Sequence, residues 1–276
     1  MNYMKGILLI VVLTALSFSG VGKEKESLYI QKTDSADYYL EIKDWENAER
    51  TLKDALRAEP GNVNNALLLN NLARVQQQSG RDQEALENYD IALSITPSNS
   101  MIRYNRGVLL SSLGRYEDSV VDLGYAVKGI PGDPYPLVLR GLAYLKLSKY
   151  AEAEADLQAA LDRDKDNLDA LELLGSLYVY KEAYDKGLSL YRRLVEKNPV
   201  AENYFKLAYS QMLAENITEA DENVRKGLSL DPNYGNLYLL RAYIHQLRYE
   251  TEAKEIDVRL GMERGGEMSL FRNLLK

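Results

Sequence analysis

Cysteine is absent from this sequence of 276 residues, and histidine occurs once, at His245. Without cysteine, the chain forms no disulfide, carries no thiolate nucleophile and cannot build a zinc site of the cysteine type. A single histidine also excludes a metal site made of several histidines. A general base at His245 would need an acid or a nucleophile arranged around it, and the sequence shows none. We therefore expect no catalytic residue, no metal site and no cofactor.

Basic residues are too few to balance the acidic ones. Lysine and arginine number 34 against 41 aspartates and glutamates, which gives a formal net charge of −7. Proteins bind nucleic acid largely through lysine and arginine that displace counterions from phosphates, and no basic run interrupts the acidic background here. The sequence therefore predicts no nucleic-acid partner and disfavours anionic membrane surfaces.

The N-terminus has the pattern of a secretory signal peptide. One positive charge, at Lys5, precedes an almost wholly apolar run over residues 6–18, and small residues follow before a strongly polar stretch begins. We predict a signal peptide over residues 1–22, cleaved near Ser19 or Gly22, and hence an exported protein of the periplasm or cell envelope. The alternative is an uncleaved anchor, although a spanning helix needs roughly 20 apolar residues. In that case this segment alone would contact the membrane.

Landmark residues recur along the rest of the chain with a fixed period of 34 residues. The recurring positions are Gly107, Gly141 and Gly175; Tyr116, Tyr150 and Tyr184; Ala85, Ser119, Ala153 and Gly187; and the prolines Pro97, Pro131 and Pro199. Such a period indicates a repeat protein, in which each unit buries its apolar face against its neighbours.

These landmarks resemble the tetratricopeptide repeat (TPR) family, whose unit is a helix–turn–helix hairpin. The resemblance covers about residues 27–262. It implies an all-α fold, namely a right-handed superhelical solenoid of antiparallel helix pairs. The expected array has about seven units, at residues 29–62, 66–99, 100–133, 134–167, 168–200, 201–234 and 235–262.

The C-terminal part of the chain carries two predictions, one for the seventh unit and one for the residues that follow it. The seventh unit is the weakest match, because Tyr249 and Ala253 lie out of register with the earlier units. Beyond it, residues 266–276 place Met268, Phe271 and Leu275 at helical spacing. We predict that they form a capping helix that closes the end of the array.

A charged pair also follows the repeat. Arg106 and Asp122 occupy positions on the two helices of the third unit that Arg140 and Asp156 occupy in the fourth. We predict an ion pair inside each hairpin, with a structural role.

Each unit's first helix carries a stripe of residues at its second, fifth, ninth and twelfth positions. In TPR proteins the corresponding stripe lines a concave groove that receives a partner peptide. The groove candidates, with adjacent residues, are Asn70, Asn71, Arg74, Tyr104, Asn105, Tyr135, Val138, Leu142, Phe205, Tyr209, Met212 and Tyr243. The stripe is polar at its N-terminal end and apolar and aromatic from the fourth unit onward. The alternative interpretation is that these residues pack between helices, since apolar residues at helical spacing commonly form core.

An acidic stretch resembles the start of a calcium-binding loop. Asp162, Asp164 and Asp166 alternate as EF-hand ligands do, but Leu173 stands where that loop needs a bidentate glutamate. We therefore interpret this stretch as a turn between repeats.

Since the repeats fill the chain beyond the predicted signal peptide, we expect a non-catalytic interaction scaffold. It would bind a peptide segment or helix of an envelope protein in the concave groove. Two alternatives stay open. The apolar stripe or the degenerate seventh unit could join copies of the chain into a homo-oligomer, or a tyrosine-rich groove with Tyr209 and Tyr243 could stack on glycans.

Overall fold

The computed structural model describes residues 27–272 and 274–275, and all of its regular elements within that range are helices. They are α1 (Leu28–Glu41), α2 (Trp45–Ala58), α3 (Asn65–Gln78), α4 (Asp82–Ile95), α5 (Ser100–Ser112), α6 (Tyr116–Gly129), α7 (Tyr135–Lys146), α8 (Tyr150–Arg163), α9 (Leu168–Tyr180), α10 (Tyr184–Lys197), α11 (Ala201–Leu213), α12 (Ile217–Leu230), α13 (Gly235–Leu247), α14 (Thr251–Glu263) and α15 (Met268–Phe271). None of these helices is both long enough and apolar enough to cross a membrane. The predicted signal peptide, residues 1–22, lies outside the described residues.

Consecutive helices pack as hairpins, from α1 with α2 to α13 with α14, and each hairpin packs on the next. The predicted all-α solenoid is confirmed. We call the first helix of each hairpin its A helix and the second its B helix. Buried apolar residues form successive clusters along the array, and most clusters take residues from more than one hairpin. The core is therefore shared between neighbouring units.

Each hairpin turns through one residue with left-handed backbone. Gly80 and Gly114 hold this position in the second and third units, with φ of 71° and 75°. Glycine adopts this conformation readily because it has no Cβ. The other units place a residue with a side chain there, and in the seventh unit it is Tyr249, with φ of 61°. The residue that lies out of register with the family's pattern is thus the turn residue of a complete seventh hairpin.

A recurring glycine in the A helices of the third, fourth and fifth units lets the two helices of those hairpins approach closely. A Cβ on Gly141 would lie 2.9 Å from Cγ of Leu157 on the facing B helix. Such a distance is too short for two carbon atoms, so a larger residue would push the helices apart. This close approach accounts for the glycine in those three units. The other four units place alanine at this position, at Ala36, Ala73, Ala208 and Ala242.

The predicted ion pairs inside the hairpins are confirmed. Arg106 donates from Nε and Nη2 to Asp122, at 2.6 and 2.9 Å. Arg140 makes the same two hydrogen bonds to Asp156, both at 2.7 Å. In the seventh hairpin Arg241 does so to Asp257, again at 2.7 Å. This last pair lies at the equivalent positions of α13 and α14.

A further ion pair connects the first two hairpins and gives a pH-dependent prediction. Glu49 on α2 accepts hydrogen bonds from Arg81 before α4 (Nη1 at 2.9 Å) and from Lys53 (2.6 Å). The hydrogen bond from Arg81 is the main reason that the pKa of Glu49 falls to about 2. The folded state therefore binds this proton less readily than the unfolded state does, for which the pKa is about 4.3. The stabilisation is present above about pH 4.5 and is lost as the pH falls toward 2.

We expect Glu49→Gln to lower the free energy of unfolding at pH 7 by about 1–2 kcal/mol, after allowance for solvent screening of a partly exposed pair. The difference between parent and variant should shrink between about pH 4.5 and 2. Urea unfolding at several pH values measures it. Glu46→Gln, an exposed change on the same helix, is the control. A difference that stays constant with pH would contradict the assignment to Glu49.

Candidate partner-binding groove

The A helices line the inner side of the array. Successive A helices contact each other directly, as α3 does α5, α5 does α7, α7 does α9, and α11 does α13. Direct contacts of this kind bring the A helices together on one side of a curved stack. The residues predicted to line the groove all lie on these helices.

The second residue of each predicted unit forms an exposed apolar row along the first four units. The side chains are exposed by 45% at Ile30, 53% at Leu67, 53% at Met101 and 40% at Tyr135. We call these four residues the apolar edge. Sequence reasoning named only Tyr135 of them as a groove candidate. The repeat register could have found the rest, because Leu67, Met101 and Tyr135 follow one another at 34 residues. Ile30 precedes Leu67 by 37 residues, since three residues are inserted between the first two units.

The polar residues of the second and third units are linked to each other. Asn105 Nδ2 on α5 donates to Asn70 Oδ1 on α3 at 2.8 Å, which joins two neighbouring A helices. Asn70 is buried, whereas Asn71 and Asn105 are half-buried and Arg74 is exposed. Asn70 therefore holds the inner wall together, and the other three present polar groups at its surface.

The aromatic and apolar groove candidates in the third and fourth units differ in how deeply their side chains are buried. Burial raises the pKa of Tyr104, with smaller contributions from Asp133 and Tyr135, so its hydroxyl is neutral at physiological pH. Tyr104 and Leu142 are half-buried. Val138 is only 4% exposed and packs in the core with Leu137 and Leu157.

The groove becomes acidic in the fifth and sixth units. At the position of the apolar edge, these units carry Asp169 and Glu202. Lys206 on α11 bridges Glu172 (2.9 Å) on α9 and Glu202 (2.8 Å). Burial, followed by repulsion from Glu172, raises the pKa of Asp169. A partner that continues past the apolar edge therefore meets negative charge, only part of which Lys206 neutralises.

The C-terminal end of the groove is covered by the chain's own last residues. Phe271 is fully buried, and its ring centroid lies 6.3 Å from that of Phe205 and 6.2 Å from that of Tyr209. Tyr243 is half-buried in the same cluster. These three predicted groove residues are therefore in contact with, or beside, a segment of the same chain.

Two expectations need correction at this point. Asn70, Val138 and Met212 are 7%, 4% and 5% exposed, so they pack between helices, as the alternative interpretation held. The predicted capping helix over 266–276 is a single turn, Met268–Phe271. After it, Leu274 N and Leu275 N both donate to the oxygen of Phe271, at 2.9 and 2.8 Å.

The lone histidine belongs to the seventh hairpin's ion-pair network. His245 Nδ1 bonds to Glu250, and its Nε2 lies 3.3 Å from Asp257, which also binds Arg241. Within the described part of the chain, no group of three or more histidines and carboxylates is placed to hold a metal ion.

In the acidic turn, Asp166 pairs with Lys197 at 2.7 Å, and Asn167 caps α9.

Comparison with known proteins agrees with this architecture. Tetratricopeptide repeat families match residues 33–100, 70–134 and 138–202, and residues 201–234. Superkiller complex protein 3 of Homo sapiens is 37% identical over 82 residues, which is 29% of this chain but only 5% of that relative's length.

Among solved structures, a tetratricopeptide repeat protein from Parabacteroides merdae is 28% identical, with a TM-score of 0.65 over 90% of this chain and 97% of its own. YrrB, described as a TPR protein with an unusual peptide-binding site, is 21% identical with a TM-score of 0.56, over 64% of this chain and 91% of its own.

Proposed function

This chain belongs to the tetratricopeptide repeat family, and from that we propose that it is a non-catalytic scaffold that binds an extended segment of another protein. The observation that carries the proposal is the apolar edge, where four consecutive units each expose an apolar side chain at the same position. Exposed apolar side chains in one row indicate a surface that a partner covers. The polar groups of Asn71, Arg74 and Asn105 beside this row would bind the partner's backbone or polar side chains.

The spacing of the apolar edge limits the partner's pattern. Packed helices lie about 8–10 Å apart, and an extended chain advances about 3.3 Å per residue. A segment in the polyproline II conformation, which has three residues per turn and rises about 3.1 Å per residue, would therefore bring every third side chain opposite one residue of the apolar edge. We expect a partner segment of about ten residues with apolar side chains at that spacing, on the same estimate. A helical partner would match the row with residues on one face instead.

We further propose that the partner is a protein of the cell envelope and that the chain itself is exported. This part rests on the signal-peptide pattern of residues 1–22. The structural likeness to YrrB, which is described as binding a peptide, supports peptide recognition by this fold. We propose no catalytic role, since His245 is engaged by Glu250 and Asp257 inside a hairpin.

The test is affinity capture from a cell-envelope extract with two double variants. Leu67→Glu with Met101→Glu places charges on the apolar edge, where both residues are 53% exposed. Ile91→Glu with Val121→Glu places them on B helices, at residues that are 51% and 58% exposed. We expect the first variant to lose the partner at least tenfold and the second to retain it, with both folded by circular dichroism. Equal retention by both variants would contradict the proposal.

The two other interpretations give different results in the same experiment. Capture of further copies of this chain, with a molar mass in light scattering that rises with concentration, would indicate self-assembly. Retention of polysaccharide fragments that is lost on Tyr243→Ala would indicate glycan binding.

A further inference from the structure

The last residues of the chain follow α13 along the inner side of the array. We call residues 267–272 and 274–275 the C-terminal segment. At the start of α13, Glu267 N donates to Asn236 Oδ1 at 2.7 Å, and near its end Gln246 Nε2 donates to the oxygen of Leu274 at 2.8 Å. The C-terminal segment therefore runs parallel to α13, with one polar contact near each end.

Between these two contacts the C-terminal segment is held by apolar packing. Phe271 is fully buried and lies against Phe205 and Tyr209 of α11, one unit away. Met268, Leu274 and Leu275 are half-buried and pack in the same cluster. Met268 lies three residues before Phe271, and Leu274 and Leu275 lie three and four residues after it.

The position of Phe271 is the informative feature. A cap that only extended the stack would cover the last hairpin, whereas Phe271 reaches across α13 to the inner face of α11. It fills the place where Phe205 and Tyr209 would otherwise present aromatic surface to a partner. The entry to the C-terminal segment is a glycine pair, and Gly265 has φ of +74°.

From these contacts we propose that the C-terminal half of the groove is a second subsite, for short apolar segments with a central aromatic residue, and that the C-terminal segment is its built-in occupant. The ligand class is a peptide that carries an aromatic residue with an apolar residue three before it and two leucines three and four after it. Such a peptide competes with the C-terminal segment. This inference rests on the proposed function, since it takes the groove to be a peptide-binding surface.

The probe is a labelled peptide of residues 267–276, EMSLFRNLLK, added to the full chain. Three versions of the chain are compared by fluorescence anisotropy, namely the parent, Phe271→Leu and Phe271→Ala. We expect the affinity for the peptide to rise in that order and to be at least tenfold higher for Phe271→Ala than for the parent. A peptide with alanine in place of its phenylalanine should not bind.

The binding surface is checked by a second change. Adding Tyr209→Ala to Phe271→Ala should reduce peptide binding at least tenfold, because the aromatic wall is then incomplete. Leu67→Glu with Met101→Glu, on the distant apolar edge, should leave it unchanged. This comparison tests the two proposals separately. Loss of the envelope partner should result from the changes at Leu67 and Met101, and loss of peptide binding should result from Tyr209→Ala.

Two results would overturn the inference. If both Phe271 variants remain folded but bind the peptide no better than the parent does, the C-terminal segment does not occupy a peptide subsite. If both variants lose the helicity of the last hairpin, the segment is a permanent part of the fold. Phe271→Leu guards against the second result arising from lost volume alone, because it keeps an apolar side chain at the buried position.

Discussion

Replacing Asp122 with alanine is expected to lower the free energy of unfolding by about 3–5 kcal/mol. The carboxylate is 1% exposed, and it accepts hydrogen bonds from Arg106 (2.6 and 2.9 Å) and from Arg103 (2.6 Å). Charge-assisted hydrogen bonds of this geometry are among the strongest in proteins. Alanine would leave two largely buried guanidinium groups without their shared partner. Only Arg106 keeps a second carboxylate, Asp90, at 2.5 Å.

The matched control is Asp118→Ala on the same helix, α6. Asp118 pairs with Arg115 at 2.6 Å, but both side chains are more than half exposed, at 56% and 55%. An exposed pair contributes about 0–1 kcal/mol, so the two variants should differ by about 2 kcal/mol or more. Guanidinium unfolding followed by circular dichroism measures both. Equal losses would mean that burial does not govern the strength of this pair.

The hairpins and their ion pairs could be predicted because both depend on positions within one repeating unit. Arg106 with Asp122 and Arg140 with Asp156 share those positions, and the helices bring each pair together wherever the repeat is intact. The same logic extends to the seventh unit, where Arg241 and Asp257 meet at 2.7 Å. Sequence reasoning missed that pair because it judged the unit by Tyr249.

The boundary between the first two units shows where a fixed period fails. Three residues are inserted there, and α3 begins at Asn65, one residue before the expected start of the second unit. Asn65 is buried and donates to the oxygens of Glu59 and Pro60, at 2.8 and 3.1 Å. The three inserted residues occur only at this boundary, so the period of the other units does not predict where α3 begins.

Access to the groove was the least predictable property. Helical spacing shows that Val138, Leu142 and Tyr209 lie on the same face of their helices, but burial depends on what a neighbouring segment covers. Val138 is buried by adjacent hairpins. Tyr209 is covered by Phe271, which lies far away in sequence. Spacing predicts that Phe271 shares a face with Met268, but it does not predict which helix that face contacts.

The contact between the last hairpin and the C-terminal segment depends on three glycines whose backbones touch. A Cβ on Gly235, at the start of α13, would lie 2.4 Å from Gly266 N, 2.6 Å from Gly261 O and 2.8 Å from Arg264 O. All three are backbone atoms, so no side-chain rotation can relieve the clash. Gly266 N also donates to Gly261 O at 2.8 Å, which closes the end of α14 at this point.

Gly235→Ala is therefore expected to force apart the start of α13, the end of α14 and the entry to the C-terminal segment. We expect a loss of about 1–3 kcal/mol, together with greater exposure of Phe271 and tighter binding of the peptide of residues 267–276. Gly124→Ala is the matched control, because its Cβ would meet only Arg140 Nη1, at 3.5 Å, inside α6. There alanine should stabilise the helix by about 0.5–1 kcal/mol.

The two glycine variants should thus shift the melting temperature in opposite directions. A fall for both would mean that the glycines of α6 and α13 serve the same packing role. A rise for both would mean that the backbone contact at Gly235 relaxes without loss. Opposite shifts with unchanged peptide binding would show that strain in the seventh hairpin does not displace the C-terminal segment. The packing of that hairpin and the occupancy of the groove by the segment would then be independent of each other.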